Sequence, residues 1–241
     1  MPGRFAITTP PETLRAFFGY SEQPDFPQRY NIAPTQPIPV VTAQARSQGR
    51  ERHFILMRWG FLPGFVKDPA KFSLLINARA ETLTEKPSFR AAVKRRRCLV
   101  IADAYYEWRR GAKRGAGQPF MIRRPNGEPM GLAGLYETWS DPYGGEIDTA
   151  CIITTPPNAL IGTIHDRMPA IIAPRDFSFW LDNDGVEAFA ATALLRPAPD
   201  DALEMAAIDE AVNKVGNDGP EVQRLAAPPI KPETKRQGSL F

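Results

Sequence analysis

Cys98-Leu99-Val100-Ile101-Ala102, followed at once by Asp103-Ala104-Tyr105-Tyr106-Glu107-Trp108, is the stretch of sequence that decides the fold. Its first five residues form a near-continuous apolar run, which is typical of a strand that is buried on both faces. Its last six residues place one carboxylate, Glu107, among aromatic side chains. The stretch therefore predicts a core strand that leads into a carboxylate close to the protein interior.

Glu107 is a candidate general acid. Burial raises the pKa of a carboxyl group, and this is the usual way to make a proton donor that works near neutrality. The alternative interpretation is that Glu107 is the ion-pair partner of a nearby arginine. Both interpretations stay open at this point.

The segments around this stretch predict mainly strands, with short helices between them. A helix is predicted over residues 13–18, with Thr9 as its N-cap and Glu12 as the capping carboxylate. A second helix is predicted over residues 87–93, and we interpret the basic run 94–97 behind it as a solvated helix end. The strand patterns cover residues 5–8, 38–41, 98–102, 119–123, 130–138 and 149–155.

Length and composition limit the class of protein. The chain has 241 residues, 43% of them hydrophobic, and a net charge of +3, which suits one main domain with a substantial core. No apolar run approaches the roughly 20 residues that span a bilayer, and no signal peptide is visible. We expect a soluble, cytoplasmic protein whose mildly basic charge permits a polyanionic partner.

The two cysteines, Cys98 and Cys151, each lie in an apolar strand pattern. This placement predicts buried, reduced thiols rather than a disulfide framework. With only two histidines and no Cys-x-x-Cys pair, no zinc site is expected. The sequence indicates no cofactor.

The first five residues, Met1-Pro2-Gly3-Arg4-Phe5, combine a potential free amine with a cation. Because Pro2 is small, we expect methionine aminopeptidase to remove Met1 and expose the Pro2 amine. An α-amino group has a pKa of about 7.7–8.0, so part of it is an unprotonated nucleophile near neutrality. The alternative is an ordinary small second residue with no function.

Two further segments carry polar residues in positions that suit a site. Asn77 and Arg79 are two residues apart on an extended segment, so their side chains should leave the same face and could share a ligand. His165 lies between Ile164 and Asp166 in a proline-bounded turn, where sites tend to lie. The alternative for His165 is a structural hydrogen bond.

Taken together, the segments resemble one known family. Over residues 1 to about 218 the chain is similar to the SRAP family, the SOS-response-associated peptidases also called abasic-site processing proteins. The number and common order of the matching blocks make the resemblance specific. The blocks are MxGRF, RYNIAP, RWGFLPGF, NARAET, RCLVIADAYYEW, QPFMI, AGLYETW, ITTPPN and IHDRMPAI.

The resemblance implies an α+β domain over residues 1–222, with curved, mostly antiparallel sheets that form a barrel-like core flanked by short helices. It also implies a positively charged groove for single-stranded DNA that contains abasic sites. By motif position, Asn77 would hold the reacting sugar, Glu107 would open the sugar ring, and His165 would assist proton transfer. Other residues would contact DNA, with phosphates gripped by Arg4, Arg79 and Arg167 and the DNA path lined by Asn31, Pro34, Phe65 and Thr154.

The chain departs from the family at Pro2, which stands where family members have a nucleophilic cysteine. Without a thiol the family's thiazolidine with an abasic-site aldehyde cannot form. A proline amine can still condense with the aldehyde to a cationic iminium, an electron sink that favours β-elimination. We therefore predict an abasic-site lyase or a transient crosslinker. The alternatives are a single-stranded-DNA-binding protein without chemistry, a SRAP-type peptidase, and an engineered Pro2.

Residues 223–241 are rich in proline and polar side chains, which predicts a flexible tail. The tail ends with Gln237, Leu240 and Phe241 in the spacing of the peptide that binds the bacterial sliding clamp. A short linear motif is weak evidence by itself. We expect a monomer whose tail is a candidate clamp-binding peptide.

Overall fold

The computed structural model describes residues 2–109, 117–141 and 144–227. Three features predicted from sequence fall outside these ranges. They are the removal of Met1, most of the glycine-rich basic turn 111–117, and the candidate clamp-binding residues Gln237, Leu240 and Phe241.

The described residues form short helices and a larger number of strands. The strands are β1 (Arg4–Ile7), β2 (Arg29–Ile32), β3 (Pro37–Ala43), β4 (Arg52–Trp59), β5 (Asn77–Arg79), β6 (Arg97–Ala102), β7 (Ala104–Arg109), β8 (Gln118–Arg123), β9 (Met130–Ser140), β10 (Glu146–Thr155), β11 (Met168–Pro169), β12 (Ile171–Ile172) and β13 (Glu204–Ala207). The α-helices are α1 (Pro11–Phe18), α2 (Ala92–Arg95), α3 (Ala159–Gly162), α4 (Phe177–Leu181) and α5 (Ala188–Thr192).

Five strands close into a barrel. β10 pairs with β4, β4 with β3, β3 with β6, and β6 with β9, and β9 pairs back with β10. All of these pairings except β10–β4 are antiparallel. β6 lies between β3 and β9 and is buried at every residue. The predicted α+β fold with a barrel-like core is confirmed.

The second sheet has the strand order β13-β8-β7-β1-β2 and is buried on both faces. One face packs on the main core through Phe5, Tyr105 and Ile122. The alternate residues of the same strands pack in a second, smaller core that the 208–222 segment closes. Because side chains alternate along a strand, this arrangement explains why β1 and β7 are apolar at successive positions.

The cap predicted for the first helix is wrong. Pro10 is the N-cap of α1, and it has no capping side chain. The Thr9 hydroxyl instead donates a 2.9 Å hydrogen bond to Oδ1 of Asp103, in the turn that joins β6 to β7. Thr9 therefore ties the start of the helix to the sheet rather than capping the helix.

The bounds predicted for the second helix are also wrong, because only Ala92–Arg95 are helical. Residues 87–91 form turns in which Phe89 is buried and packs on Phe61, with ring centroids 5.6 Å apart. Packing of Phe89 into the core overrides the helical pattern of this segment.

The prediction that residues 94–97 form a solvated helix end is wrong for Arg97, which is fully buried as the first residue of β6. Its guanidinium donates to backbone carbonyl oxygens around it, and burial lowers the pKa of Arg97 to about 10. The acceptors are the carbonyl oxygens of Val93, Lys94, Trp180, Asp182 and Val186. The two cysteines, by contrast, are buried free thiols as predicted.

Candidate active site

Pro2 lies where the two sheets meet. It is buried and directly precedes Gly3 and β1 of the second sheet. Its carbonyl oxygen accepts a 3.0 Å hydrogen bond from Nδ2 of Asn77. Asn77 is fixed in turn by the parallel pairing of β5 with β10, where it lies opposite Ile152. One side chain therefore fixes the N-terminal segment to the strands beside the barrel.

Asn77 keeps unused hydrogen-bonding capacity. Its Oδ1 is buried and accepts no hydrogen bond from any residue that the structure describes. Since leaving a buried acceptor without a donor costs free energy, this position favours a ligand that carries an O–H or N–H group. Such a ligand would lie next to Pro2.

Glu107 lies on β7, beside the segment that carries Pro2. The β1–β7 register places Arg4 opposite Tyr106, so Glu107 is one position beyond that pair and faces the start of the chain. Only 4% of Glu107 is exposed. Its carboxylate is thus held within the protein, as the aromatic-rich sequence around it predicts.

His165 comes from the turn between α3 and β11 and faces Glu107. Its Nδ1 accepts a 2.9 Å hydrogen bond from the backbone N–H of Arg167, although Oδ1 of Asp166 also lies 3.1 Å from Nδ1. The carbonyl oxygen of Arg167 lies 3.2 Å from the same Nδ1, so this ring nitrogen has one donor and two acceptors within reach. Nε2 lies 4.0 Å from Oε2 of Glu107.

Glu107 and His165 can act together on one reacting group. The 4.0 Å separation exceeds a direct hydrogen bond. An oxygen or nitrogen that contacts both groups could exchange protons with either of them. A buried carboxylate and a histidine near Pro2 are side chains suited to general acid–base steps in carbonyl condensation.

Arg167 presents its planar guanidinium to Glu81. Nη1 donates to Oε1 of Glu81 at 2.7 Å and Nη2 donates to Oε2 at 2.9 Å. Nη2 also donates to the carbonyl oxygen of Thr154 at 2.6 Å. The hydrogen bonds from Arg167 lower the pKa of Glu81 below its usual value. Both terminal nitrogens of the Arg167 guanidinium are therefore already bonded to the carboxylate of Glu81.

Arg4 and Asn31 are engaged inside the protein. Nη1 of Arg4 donates to Oδ1 of Asn31 and to the carbonyl oxygen of Val212, both at 2.9 Å. The fully buried Asn31 donates through Nδ2 to the carbonyl oxygens of Val212, Lys214 and Asn217. These bonds hold the 212–217 segment against β2. The DNA contacts that the resemblance implies for Arg4 and Asn31 stay predictions.

The remaining residues that the resemblance assigns to DNA differ in exposure. Arg79 is exposed on β5, and Phe65 is 61% exposed with its ring edge-on to Phe72 at 6.5 Å. Pro34 is half-buried in the turn between β2 and β3. Thr154 is fully buried. Arg79 and Phe65 are therefore accessible from solvent, and the DNA contacts assigned to all four residues stay predictions.

Sequence reasoning assigned no role to Glu81. Strand alternation could not have found it, because the extended segment ends at Arg79 and Glu81 lies in the 3-10 turn Ala80–Thr82. Its partner Arg167 is 86 positions away, so the sequence could not show the pairing.

No helix in the described ranges is long and apolar enough to cross a membrane.

Among known families, the model of the SOS response associated peptidase (SRAP) matches residues 1–215 of the chain. Among characterised proteins, the abasic site processing protein YoqW of Bacillus subtilis is 34% identical over 225 residues, which are 92% of this chain and 98% of YoqW. The abasic site processing protein HMCES of Rattus norvegicus is 31% identical over 243 residues, covering 87% of this chain and 68% of HMCES.

Solved structures with the same fold are also found. A protein from Bacteroides thetaiotaomicron, known from its X-ray structure, superposes with a TM-score of 0.79 at 27% identity and covers 92% of this chain and 99% of its own. A protein from Bordetella bronchiseptica gives a TM-score of 0.73 at 25% identity, covering 86% of this chain and 99% of its own.

Proposed function

The chain belongs to the SOS response associated peptidase (SRAP) family, and from this premise we propose that it processes abasic sites in single-stranded DNA through the amine of Pro2. One observation carries the proposal. Asn77 fixes Pro2 by a 3.0 Å hydrogen bond beside Glu107 and His165, whose functional atoms lie 4.0 Å apart. The names of its relatives, abasic site processing proteins, support the same substrate.

The proposed reaction begins when the ring of the abasic sugar opens and exposes an aldehyde at C1′. The unprotonated Pro2 nitrogen attacks this carbon and forms a carbinolamine. Loss of its hydroxyl as water then leaves an iminium cation. A secondary amine cannot shed a second N–H proton, so the nitrogen stays positively charged and withdraws electrons from C2′.

Strand cleavage follows from that charge. A base removes a proton from C2′, the electrons form a C2′–C3′ double bond, and the 3′ phosphate leaves. Water then attacks C1′ and restores the free Pro2 amine. In this proposal Glu107 and His165 give and take these protons. We therefore propose an abasic-site lyase, with a transient covalent crosslink to DNA as its intermediate, that acts in the DNA damage response.

The cleavage assay uses single-stranded DNA with one abasic site, incubated with protein from which Met1 has been removed. We expect a shortened strand on a denaturing gel. The matched control is the same protein with Met1 retained, in which the Pro2 nitrogen is part of a peptide bond and cannot condense. Equal cleavage by both forms, or by neither, would contradict the proposal, and binding without cleavage would favour the binding-only alternative.

Replacing Pro2 with cysteine provides a gain-of-function control. Pro2→Cys supplies both an amine and a β-thiol, so a five-membered thiazolidine can close on the aldehyde. We expect a DNA–protein adduct that survives denaturation without any reductant. A Pro2→Cys protein that gives no such adduct would show that the site does not hold an abasic sugar.

The tail and the cellular location are further proposals. We propose that Gln237, Leu240 and Phe241 bind the bacterial sliding clamp, and that the protein is a cytoplasmic monomer that joins the nucleoid when it binds DNA. Deletion of residues 237–241 should abolish clamp binding in a pull-down with purified clamp. Unchanged clamp binding after the deletion would contradict the proposal.

A further inference from the structure

Both terminal nitrogens of Arg167 donate to the carboxylate of Glu81. We propose that Glu81 is an internal competitor for the DNA phosphate, which holds the guanidinium of Arg167 while DNA is absent and must leave when a phosphate binds. Glu81 is thus a positioning residue that acts through Arg167. The inference rests on the proposed function, which names DNA as the source of the phosphate and Pro2 as the bond that an abasic strand adds.

The geometry of the pair is that of anion recognition. Each terminal nitrogen of Arg167 donates to a different oxygen of Glu81, at 2.7 Å and 2.9 Å. This two-pronged contact is the one that arginine makes with both carboxylates and phosphates. A phosphate oxygen pair could therefore replace the two carboxylate oxygens without any change in the donors.

Arg167 does not depend on Glu81 for its position. The side chain of Arg167 is only 11% exposed, and its Nη2 is bonded to the Thr154 carbonyl oxygen at 2.6 Å. Thr154 is fixed between two strands, opposite Arg79 on β5 and Pro169 on β11. The guanidinium should therefore stay aimed outward after the carboxylate has moved.

The side chain of Glu81 is more exposed than that of Arg167. Its side chain is 46% exposed, and it lies in the single 3-10 turn Ala80–Thr82 rather than in a long helix or strand. The positive charge of Arg79 also helps to lower the pKa of Glu81. The carboxylate therefore lies within the field of two arginines, Arg79 and Arg167, that the family resemblance assigns to phosphates.

The consequence is a built-in limit on affinity for DNA. Each binding event must break the Glu81–Arg167 pair, so part of the free energy gained from the phosphate is lost. Undamaged single strands, which offer only phosphates and bases, would bind more weakly than the cationic site alone allows. An abasic strand can offset the loss through its bond to Pro2.

The experiment measures the Kd of an undamaged single-stranded oligonucleotide by fluorescence anisotropy at fixed salt. Glu81→Gln removes the charge and keeps the shape, and we expect about two- to fivefold tighter binding, the range for releasing a partly exposed ion pair. Glu85→Gln is the matched control, because Glu85 is exposed four positions away and the change in net charge is identical. Glu85→Gln should leave Kd near the wild-type value.

A second background isolates the role of Arg167. In Arg167→Ala protein, adding Glu81→Gln should give no further gain in affinity for single-stranded DNA, because the guanidinium for which Glu81 competes is absent. Glu81→Asp, which is one methylene shorter and cannot bridge both nitrogens as well, should bind with a Kd between those of wild type and Glu81→Gln. A merely structural role for Glu81 would instead make both Glu81 variants bind more weakly than wild type.

Several outcomes would overturn the inference. They are weaker or unchanged binding by Glu81→Gln, an equal gain in Glu85→Gln, a gain that persists without Arg167, and no binding of single strands by any variant. The assay does not involve Pro2 chemistry. Failure to cleave abasic DNA would therefore contradict the proposed lyase and leave this result standing, and the reverse also holds.

Discussion

At the residue scale, the candidate site consists of a small number of side chains whose surroundings support the roles that we propose for them. Glu107 is 4% exposed and lies beside His165, whose Nδ1 is occupied by the Arg167 backbone N–H. That bond fixes the ring so that Nε2 faces the carboxylate. The orientation of the pair therefore comes from main-chain geometry, which one substitution elsewhere does not readily disturb.

Glu107→Gln tests the acid–base role directly. The amide keeps the shape of the side chain but cannot release or accept a proton, so we expect adduct formation and cleavage to fall by about 10²- to 10⁴-fold, the usual size of a general acid–base contribution. Single-turnover rates on abasic single-stranded DNA measure the change. Glu51→Gln, at an exposed position, is the control, and a Glu107→Gln rate within threefold of wild type would contradict the assignment.

Some residues of the site could be named from sequence and others could not. Pro2, Asn77, Glu107 and His165 lie in blocks whose order identifies the family, so their positions follow from the sequence. The internal use of Asn31 could not be predicted, because its acceptor on Val212 lies 181 positions away. Contacts between distant segments depend on the complete fold rather than on local pattern.

At the element scale, strand patterns were predicted most accurately where burial is complete. β6 is buried at every residue, and its apolar run identified it without ambiguity. Helix bounds were predicted less well, because α2 covers only Ala92–Arg95 and packing decides where it begins. The prediction for Arg97 was wrong because a run of four basic residues is typical of a solvent-exposed segment. Arg97 is instead the first residue of β6, where its side chain is buried.

Arg97→Lys tests the structural role of this buried cation. Lysine keeps the charge but offers three donors on one nitrogen instead of a planar guanidinium, so several carbonyl oxygens between α2, β6 and α4 would lose their donor. We expect the free energy of unfolding to fall by about 1–3 kcal/mol. Urea denaturation measures it, with the exposed Arg95→Lys as control. A loss below about 0.5 kcal/mol, the size of an ordinary surface change, would contradict the role.

At the scale of the whole molecule, the site lies between two structures that the chain builds separately. The closed barrel contains β10, and β10 pairs with β5, which carries Asn77. The second sheet contains β7, which carries Glu107, and β1, which begins two residues after Pro2. Local patterns predicted the strands, but closure of the barrel through the β9–β10 pairing could be expected only from the family resemblance. Pairing partners are chosen by tertiary packing, which local periodicity does not encode.

Truncation tests which part of the C-terminal region belongs to the domain. The 208–222 segment contributes Ile208, Val212 and Val222 to the second core, and Asp218 accepts from the backbone N–H groups of Tyr30 and Asn31. A chain that ends at residue 227 should keep its Tm within about 2 °C. A chain that ends at residue 207 should lose several kcal/mol, at about 1.5–3 kcal/mol for each buried aliphatic side chain.

Thermal unfolding followed by circular dichroism distinguishes the two cases. Equal Tm values for the chains that end at residues 207 and 227 would contradict the role of the second core. A large loss of Tm in the chain that ends at residue 227 would show that residues 228–241, the part of the predicted tail that this chain lacks, contribute to the fold.

The central claim is that the Pro2 nitrogen bonds to the abasic sugar. The most direct measurement is borohydride reduction of Met-free protein incubated with abasic single-stranded DNA, followed by digestion and peptide mass mapping of the adduct. We predict one reduced sugar adduct, and that it lies on the N-terminal peptide at Pro2. The absence of an adduct, or its location on a lysine elsewhere in the chain, would contradict the claim.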